Sequence, residues 1–292
     1  MMKKFIKNII IAFLKGDSRW LLLESTLVRS VNYLVWQRNQ IEDERKQTAN
    51  PELYKAELYK VDTKAGDLIS NQMEVRHGPF KGMKYPELSS VGSTLLPKLL
   101  GSYEKELQPL IERICQTGYT EIIDIGCAEG YYAVGLALRI PEARIYAFDI
   151  NQKARDLCQK MASLNGVRCD IKENCSTETL RVFPFKERGL IICDCEGCEM
   201  ELFKPEVMEN LKACDLLIEL HDFVDINIST YISDLFKSTH EQSFIESVDD
   251  IKKVKIYDYE ELHDLNLVTK KYILSENRPA AMEWIFLRSK QF

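Results

Sequence analysis

The sequence predicts an α/β fold, with a mostly parallel sheet that carries helices on both faces. Short apolar strands and helices alternate from Gly118 onward, and such alternation requires right-handed crossovers that cover both faces of a sheet. A glycine loop at 126–130 directly follows the first of these strands. Because open α/β sheets bind ligands at the carboxyl ends of their strands, this loop is the expected binding edge.

The strands of the predicted sheet are short runs rich in aliphatic residues. They cover residues 121–124, 143–148, 167–171, 190–193, 216–220 and 282–287. Helices are predicted over residues 131–138, 152–164 and 228–240. Ahead of the first strand, Ser102 as N-cap and Gly118 just past the end predict one more helix.

The chain length indicates one catalytic domain with an extension. Its 292 residues are 45% hydrophobic, and domains usually have about 100–200 residues. Residues 1–75 are predicted to form a helical N-terminal extension in which Asn50 is an N-cap. The catalytic domain is predicted at 76–292. It begins with a hairpin or irregular crossing at 76–102 and contains a cofactor-binding core at 119–222.

The charge and the cysteines limit the partners and the compartment. A net charge of −6 argues against nucleic acid as a partner, because phosphate backbones are usually met by a strongly basic face. The nine cysteines, several of them within apolar runs, indicate reduced thiols in a cytoplasmic protein.

No transmembrane segment is expected, because no run approaches the roughly 20 apolar residues of a spanning helix. A lysine-flanked apolar run at 9–14 has two compatible roles. It forms either an interfacial helix that makes peripheral membrane contact, or a helix that packs on its own domain or on a partner subunit. Packing on a partner subunit would produce a homo-oligomer.

The charge of the glycine loop distinguishes between two cofactor classes. Nicotinamide enzymes use a similar loop, but they place a pyrophosphate over it. Here Asp124 and Glu129 would repel a pyrophosphate and would suit the sulfonium and ammonium groups of S-adenosylmethionine. Asp149, at the end of the second strand, can accept hydrogen bonds from the ribose hydroxyls of either class. The loop therefore favours S-adenosylmethionine.

Two segments resemble known families. Residues 121–130, followed by Asp149, resemble the opening motifs of class I S-adenosylmethionine-dependent methyltransferases, which have a Rossmann-like sheet with an antiparallel last strand. Asp194-Cys195-Glu196-Gly197-Cys198-Glu199 resembles the D-x-E-G-x-E segment of the FkbM family. The resemblance covers residues 119–222. It implies an O-methyltransferase that acts on a hydroxyl of a sugar, a glycan or a related metabolite, with a small-molecule or glycan acceptor.

The resemblance also implies the cofactor site. The methionine part of S-adenosylmethionine would be held by Asp124, Gly126, Cys127, Ala128 and Gly130. The ribose would be held by Asp149, with Ile150 beside it, and the adenine by Glu173 or Asn174. Ala128 stands where the family has a glycine, and we expect the added methyl group to leave binding intact.

The catalytic residues are expected where the fourth and fifth strands end. Methyl transfer is an in-line displacement, and a base must help to remove the proton of a hydroxyl acceptor. His221 is the predicted base because its ordinary pKa lies near neutrality. A histidine held by Asp222 or a backbone carbonyl as a structural link is the alternative. Asp194 and Glu196 are predicted to bind the acceptor or to stabilise the sulfonium.

Further residues are assigned around the acceptor. Glu219, Asp222 and Arg278 would border the acceptor pocket, and Arg278 could hold an anionic acceptor unless it is a solvated surface residue. Tyr103 and Glu104 would close over the cofactor.

A divalent metal is a further candidate ligand of these strand ends. Asp194, Glu219 and Asp222 could together bind magnesium, although no spacing requires it and no metal is assigned. A zinc role for the cysteines at 193, 195 and 198 lacks a second pair of ligands.

Two rival functions remain for comparison. One is a nicotinamide-dependent oxidoreductase, and the other is a cofactor-binding subunit without catalysis that attaches through residues 1–75. Binding of the two cofactor classes separates the first rival from a methyltransferase, and turnover separates the second.

Overall fold

The structure is a computed structural model, and it describes residues 73–292. The predictions for the N-terminal extension, its Asn50 cap and the lysine-flanked run at 9–14 lie outside the described residues.

Seven strands form one mixed sheet within the described range. They are β1 (Glu121–Ile125), β2 (Arg144–Phe148), β3 (Cys169–Lys172), β4 (Gly189–Cys193), β5 (Cys214–Leu220), β6 (His240–Glu246) and β7 (Glu283–Ser289). Their order across the sheet is β3-β2-β1-β4-β5-β7-β6. β1 to β5 are parallel, and β7 runs antiparallel between β5 and β6. The predicted α/β class and the antiparallel last strand are confirmed.

Helices connect the strands and cover both faces of the sheet. They are α1 (Leu95–Leu100), α2 (Gln108–Gln116), α3 (Tyr131–Arg139), α4 (Gln152–Leu164), α5 (Thr177–Val182), α6 (Glu199–Leu202), α7 (Met208–Leu211), α8 (Ile228–Phe236), α9 (Asp250–Ile256) and α10 (Leu267–Leu274). Short 3-10 turns lie at Lys105–Leu107, Pro205–Val207 and Glu260–Leu262. Within residues 73–292, no helix has the length and the apolar character that a membrane crossing requires.

The two faces of the sheet bury separate apolar layers, because side chains alternate along each strand. Ile122 of β1 packs into one layer with α2, α3 and α4. Ile123 and Ile125 pack into the other layer with α5, α7 and α8. Asp124 therefore points to the same side as Ile122, toward α3.

The segment before α1 belongs to the same core. The Val75 amide donates to the Met83 carbonyl at 2.8 Å, and the Gly82 amide returns a bond to the Val75 carbonyl at 2.8 Å. The chain therefore reverses direction between Val75 and Met83. The apolar side chains of this reversal, Phe80 among them, join the layer formed by α2, α3 and α4, so the reversal packs on the sheet.

Two element predictions are wrong. The predicted helix at 228–240 ends at Phe236, and His240 begins β6. β6 is half exposed, with polar and apolar residues mixed in HEQSFIE, so the sequence lacks the apolar run that marked the other strands. Ser102 does not cap a helix. Its hydroxyl donates to the Pro97 carbonyl, and a 3-10 turn precedes α2.

The loop after β1 passes very close to the loop after β4. Gly126 has φ +80°, and a Cβ atom there would lie 1.7 Å from the Asp194 carbonyl oxygen. The amides of Gly126 and Cys127 both donate to the Phe148 carbonyl, at 2.8 and 3.0 Å. Only glycine fits this crossing, which joins the ends of β1, β2 and β4.

Replacing Gly126 by alanine tests this crossing. We expect Gly126→Ala to lower the free energy of unfolding by roughly 2–4 kcal/mol, since it adds a left-handed alanine and a backbone clash. Gly166→Ala is the matched control, because Gly166 has φ +67° and open space around its Cβ position. The control should lose only about 1 kcal/mol in urea unfolding. Equal losses would contradict the close contact.

Candidate active site

The cofactor loop is fastened to the end of β2 through Asp149. The Ala128 amide donates to Asp149 Oδ2 at 2.9 Å, and the Asn151 amide donates to Oδ1 at 2.8 Å. Burial raises the pKa of Asp149, against the lowering effect of these two amides. Each carboxylate oxygen can accept more than one hydrogen bond. Asp149 can therefore still accept from ribose hydroxyls.

Ala128 and Gly130 adopt the left-handed conformation that the loop demands. Ala128 has φ 47°, which costs a non-glycine residue about 1–2 kcal/mol. Gly130 has φ +97°, and a Cβ atom there would lie 2.8 Å from Cys158 Sγ. The structure thus tolerates an alanine at the strained position 128. At position 130, neither the left-handed backbone nor the space beside Cys158 would accept a side chain. Cys127 is buried beside them.

The residues predicted to hold the adenine lie at the same edge of the sheet. Glu173 and Asn174 follow β3 directly, and both are exposed. Ile150 is 80% exposed directly after Asp149. This placement is compatible with a nucleoside lying across the ends of β2 and β3, and the adenine role stays a prediction.

Glu129 does not supply the free negative charge that was predicted for the loop. Glu129 is fully buried, and its carboxylate is bound by Lys98 Nζ at 2.5 Å, with further bonds from the Ser90 hydroxyl and the Val91 amide. A buried carboxylate with its own cation presents no free charge to a ligand. Glu129 therefore cannot repel a pyrophosphate.

Asp124 is also not a simple anion. It is 3% exposed, and burial raises its pKa to about 8. Its Oδ2 atom has no hydrogen-bond partner among the described residues. At neutral pH this carboxyl group is largely protonated, so it can donate a hydrogen bond to a ligand but does not supply the negative charge that the sequence suggested.

The ends of β4 and β5 bring four carboxylates around His221. Nδ1 of His221 lies 2.5 Å from Glu199 Oε1. Nε2 lies 3.4 Å from Asp194 Oδ1, 3.5 Å from Glu196 Oε2 and 3.7 Å from Glu219 Oε2. We call these five residues the His221 cluster. The predicted meeting of Asp194, Glu196 and Glu219 with His221 is present in the structure.

The predicted role of His221 as general base does not fit this setting. Burial alone would lower the pKa of His221, but hydrogen bonds and charges from Asp194 and Glu199 outweigh it and raise the pKa to about 11. The ring is therefore an imidazolium at neutral pH, and it has no free nitrogen to accept a proton. The prediction assumed the ordinary histidine pKa, but the surrounding carboxylates raise the pKa of His221.

Asp194 and Glu196 differ in charge although they are two residues apart. Burial would raise the pKa of Asp194, but His221 more than compensates and lowers it below its usual value. Burial and the charge of Asp194 raise the pKa of Glu196 to about 7. Glu196 has a side chain that is 40% exposed. Asp194 is thus a fixed anion beside the cofactor loop, and Glu196 is an accessible group that titrates near neutrality.

Arg278 has a different role from the one predicted. Nε of its guanidinium donates to Glu276 at 2.8 Å, Nη2 donates to Glu104 at 2.7 Å, and Nη1 donates to Glu219. Its side chain is 14% exposed. Arg278 is therefore neither a solvated surface residue nor a free site for an anionic acceptor, because internal carboxylates occupy its donors.

The other predicted residues divide into two groups. Tyr103 and Glu104 are buried beside this arginine, and the Tyr132 hydroxyl also donates to Glu104. Asp222 stands apart from the His221 cluster. Its Oδ1 accepts from the Ser229 amide in the first turn of α8, at 2.9 Å, and its predicted role at the acceptor stays a prediction.

A disulfide joins Cys195 to Cys198, whose Cα atoms are 5.6 Å apart. It encloses Glu196 and Gly197, which both have positive φ angles. The prediction that all cysteines are reduced thiols is wrong for this pair, because the turn brings the two side chains together. The remaining cysteines among the described residues are free.

Two residues of the site were missed. Lys98 is the buried partner of Glu129, and the signal for it was a single lysine within the apolar run LLPKLL. Glu199 was not predicted to take part in the site, and it lies in the first turn of α6. Its contact with His221 joins two strand ends, and the sequence pattern carries no sign of it.

A family model described as the methyltransferase small domain matches residues 106–186. The matched segment contains the cofactor loop and Asp149. This match confirms the predicted enzyme class, an S-adenosylmethionine-dependent methyltransferase. The finer resemblance to the FkbM family stays a prediction. A comparison with curated proteins gives no match.

Several solved structures are similar to the chain. One is precorrin 8w decarboxylase from Methanobacterium thermoautotrophicum, with 16% identity, a TM-score of 0.43, and coverage of 62% of this chain and 89% of that chain. An rRNA methylase from Streptococcus thermophilus has 12% identity, a TM-score of 0.41, and coverage of 63% and 96%. An O-methyltransferase from Bacillus cereus in complex with SAH has 13% identity, a TM-score of 0.42, and coverage of 64% and 81%. At these identities and TM-scores the likeness gives no information about the substrate.

The buried carboxyl groups predict an unusual dependence of stability on pH. Burial raises the pKa of Glu104 to about 7 and that of Asp124 to about 8. The folded state then binds more protons than the unfolded state between their ordinary and raised pKa values. The free energy of unfolding should therefore fall as the pH rises from about 5 to about 8.

Urea unfolding at several pH values measures this slope. Glu104→Gln should flatten it, because the variant removes one raised pKa. Glu112→Gln is the control, since a hydrogen bond from Arg139 lowers the pKa of Glu112 and places its titration below this window. An unchanged slope in Glu104→Gln would show that Glu104 is ionised throughout.

Proposed function

We propose that the chain transfers the methyl group of S-adenosylmethionine to a hydroxyl oxygen of a sugar, a glycan or a related small metabolite. The observation that carries this proposal is the state of Glu196. It combines a pKa of about 7 with an exposed side chain, and it lies two residues after Asp194, whose carbonyl touches the cofactor loop. A carboxylate with these properties suits removal of a hydroxyl proton during methyl transfer.

The cofactor would lie across the ends of β1, β2 and β4. Asp149 would accept from the ribose hydroxyls, with both of its oxygens already oriented by backbone amides. The ionised Asp194 would face the sulfonium, and this charge replaces the contribution that the sequence assigned to Asp124 and Glu129. A fixed anion beside a cationic cofactor stabilises the bound state.

The reaction then needs alignment and one proton transfer. When bound, S-adenosylmethionine would supply an activated methyl group to the acceptor oxygen and would leave as a neutral thioether. The proton of the acceptor hydroxyl passes to the Glu196 carboxylate. His221 stays protonated and positions Asp194 and Glu199. Because Glu196 must be ionised to accept the proton, turnover should rise with pH through about 7.

The surroundings of the site suit a neutral, hydroxylated acceptor. A pocket beside the end of β5 is lined by apolar and acidic side chains: Leu220, Asp222, Phe223, Glu246, Ala281, Met282 and Glu283. Carboxylates accept hydrogen bonds from sugar hydroxyls and repel phosphates. This charge supports the expectation that nucleic acid is not the acceptor.

Asp149→Ala tests the cofactor site. We expect at least a tenfold loss of affinity for S-adenosylhomocysteine in isothermal titration, because two ribose hydrogen bonds are removed. Asp156→Ala is the control, since Asp156 is exposed on α4, and its affinity should equal that of the wild type. Absence of binding to the unaltered chain would overturn the proposed function, and tight binding of a nicotinamide dinucleotide alone would favour an oxidoreductase.

Glu196→Gln tests the base. Turnover should fall by about 10²–10⁴-fold, the usual contribution of a positioned base, while affinity for S-adenosylhomocysteine stays unchanged. The assay uses labelled S-adenosylmethionine with a panel of monosaccharides, oligosaccharides and short RNA. Glu201→Gln, on the exposed side of α6, should keep full turnover. Methylation of RNA but not of saccharides would refute the acceptor class, and full activity in Glu196→Gln would refute the base.

A further inference from the structure

The disulfide between Cys195 and Cys198 closes the turn that carries Glu196. Among the described residues, no backbone–backbone hydrogen bond joins the two ends of this turn. Glu196 has φ 56° and Gly197 has φ 100°, and the left-handed conformation is unfavourable for a residue with a side chain. Such a conformation persists only where the surrounding structure holds it. The disulfide supplies this hold from both sides of Glu196 and Gly197.

The turn packs against the segment that follows β5. A Cβ atom on Gly197 would lie 2.8 Å from Cγ1 of Val224, so the turn and this segment are in close contact. The Glu196 carboxylate lies 3.5 Å from His221 Nε2. A change in the turn would therefore move the side chain that is proposed as the base relative to the rest of the His221 cluster.

The two bonded cysteines differ in access from their neighbour in β4. Cys195 and Cys198 are half-buried. Cys193 is fully buried, and burial raises the pKa of its thiol. Exchange between a thiol and a disulfide requires access to a sulfur atom and a thiolate that attacks it. Cys193 is therefore a poor internal nucleophile, whereas a thiol reductant in solution meets a partly exposed pair.

We propose that the Cys195–Cys198 disulfide is a reversible redox site, which a dithiol reductant opens and a disulfide oxidant closes. In the opening step, a thiolate of the reductant attacks one sulfur atom, the Cys195–Cys198 bond breaks, and a mixed disulfide forms. The second thiol of the reductant then displaces the bound cysteine. The reductant leaves as a disulfide, and its two electrons and two protons remain on the two cysteine thiols.

Opening of the redox site would release Glu196 but not Asp194. The Asp194 amide donates to the Ile125 carbonyl at 2.9 Å, and its carboxylate lies 3.4 Å from His221 Nε2. Neither contact depends on the disulfide. Glu196 depends on the turn itself, because its side chain is 40% exposed. This step rests on the function proposed above: the reduced chain keeps its cofactor affinity and loses turnover, as in other switches based on thiols and disulfides.

Mass spectrometry tests the opening without an activity assay. The full chain is treated with excess dithiothreitol under native conditions, its free thiols are alkylated, and amide hydrogen exchange is measured in parallel. We expect alkylation of Cys195 and Cys198 only after reduction, and amide exchange at residues 195–198 that is faster by about tenfold or more. Glutathione disulfide should restore slow exchange. A disulfide that stays closed in dithiothreitol, or exchange that reduction leaves unchanged, overturns the redox site.

Turnover and cofactor affinity test the consequence of opening. Reduction should lower kcat with a saccharide acceptor by about tenfold or more, while the affinity for S-adenosylhomocysteine stays unchanged. A chain with both Cys195→Ser and Cys198→Ser should have the low kcat with and without dithiothreitol. Cys115→Ser is the control, because Cys115 is a free, half-buried cysteine of α2, and this variant should respond to reduction as the wild type does.

The outcomes separate the redox site from the proposed function. Equal kcat before and after reduction of the wild type overturns the redox control, and methyl transfer stands. An equal fall of kcat on reduction of the double serine variant overturns it as well, and so does a parallel loss of affinity for S-adenosylhomocysteine. Failure of the wild type to bind S-adenosylhomocysteine overturns the proposed function instead, and the alkylation and exchange results still decide whether the disulfide opens.

Discussion

The guanidinium of Arg278 is the interaction on which the active-site edge depends. It binds Glu104 from the segment before α2, Glu219 at the end of β5 and Glu276 ahead of β7. Burying three carboxylates together would be strongly unfavourable without a cation that pairs with each of them. Arginine suits this position better than lysine, because its planar group has five donors in fixed directions. These three contacts of Arg278 fix Glu219 next to His221, and so they set the geometry of the His221 cluster.

The fold could be predicted from the sequence where the apolar patterns were strong. β1 and β4 are completely buried, and the short aliphatic runs within them predicted their positions to within a residue. The same reasoning failed for β6, because that strand is half exposed and its pairing with β7 supplies the order that its own sequence lacks. The 3-10 turn before α2 was also missed, since Ser102 looked like a cap.

The candidate site could be predicted in position but not in chemistry. Parallel strands end at one edge, so the meeting of Asp194 and His221 follows from topology. Their protonation does not, because it depends on partners such as Glu199 that other strand ends supply. The same limit applied to Glu129, whose charge is cancelled by a lysine 31 positions away. Pairings between distant segments decide which carboxylates are anions, and a local pattern does not contain them.

The pairing of Lys98 with Glu129 has a consequence for the smallest unit that can bind the cofactor. The matched family segment begins at residue 106, after the lysine. A chain shortened to that segment would leave Glu129, within the loop at 126–130, as a buried anion without a cation. Loss of one partner of a buried ion pair typically costs about 3–5 kcal/mol. The region from Tyr85 to α1 is therefore structurally part of the unit that carries the 126–130 loop, although it precedes every strand of the sheet.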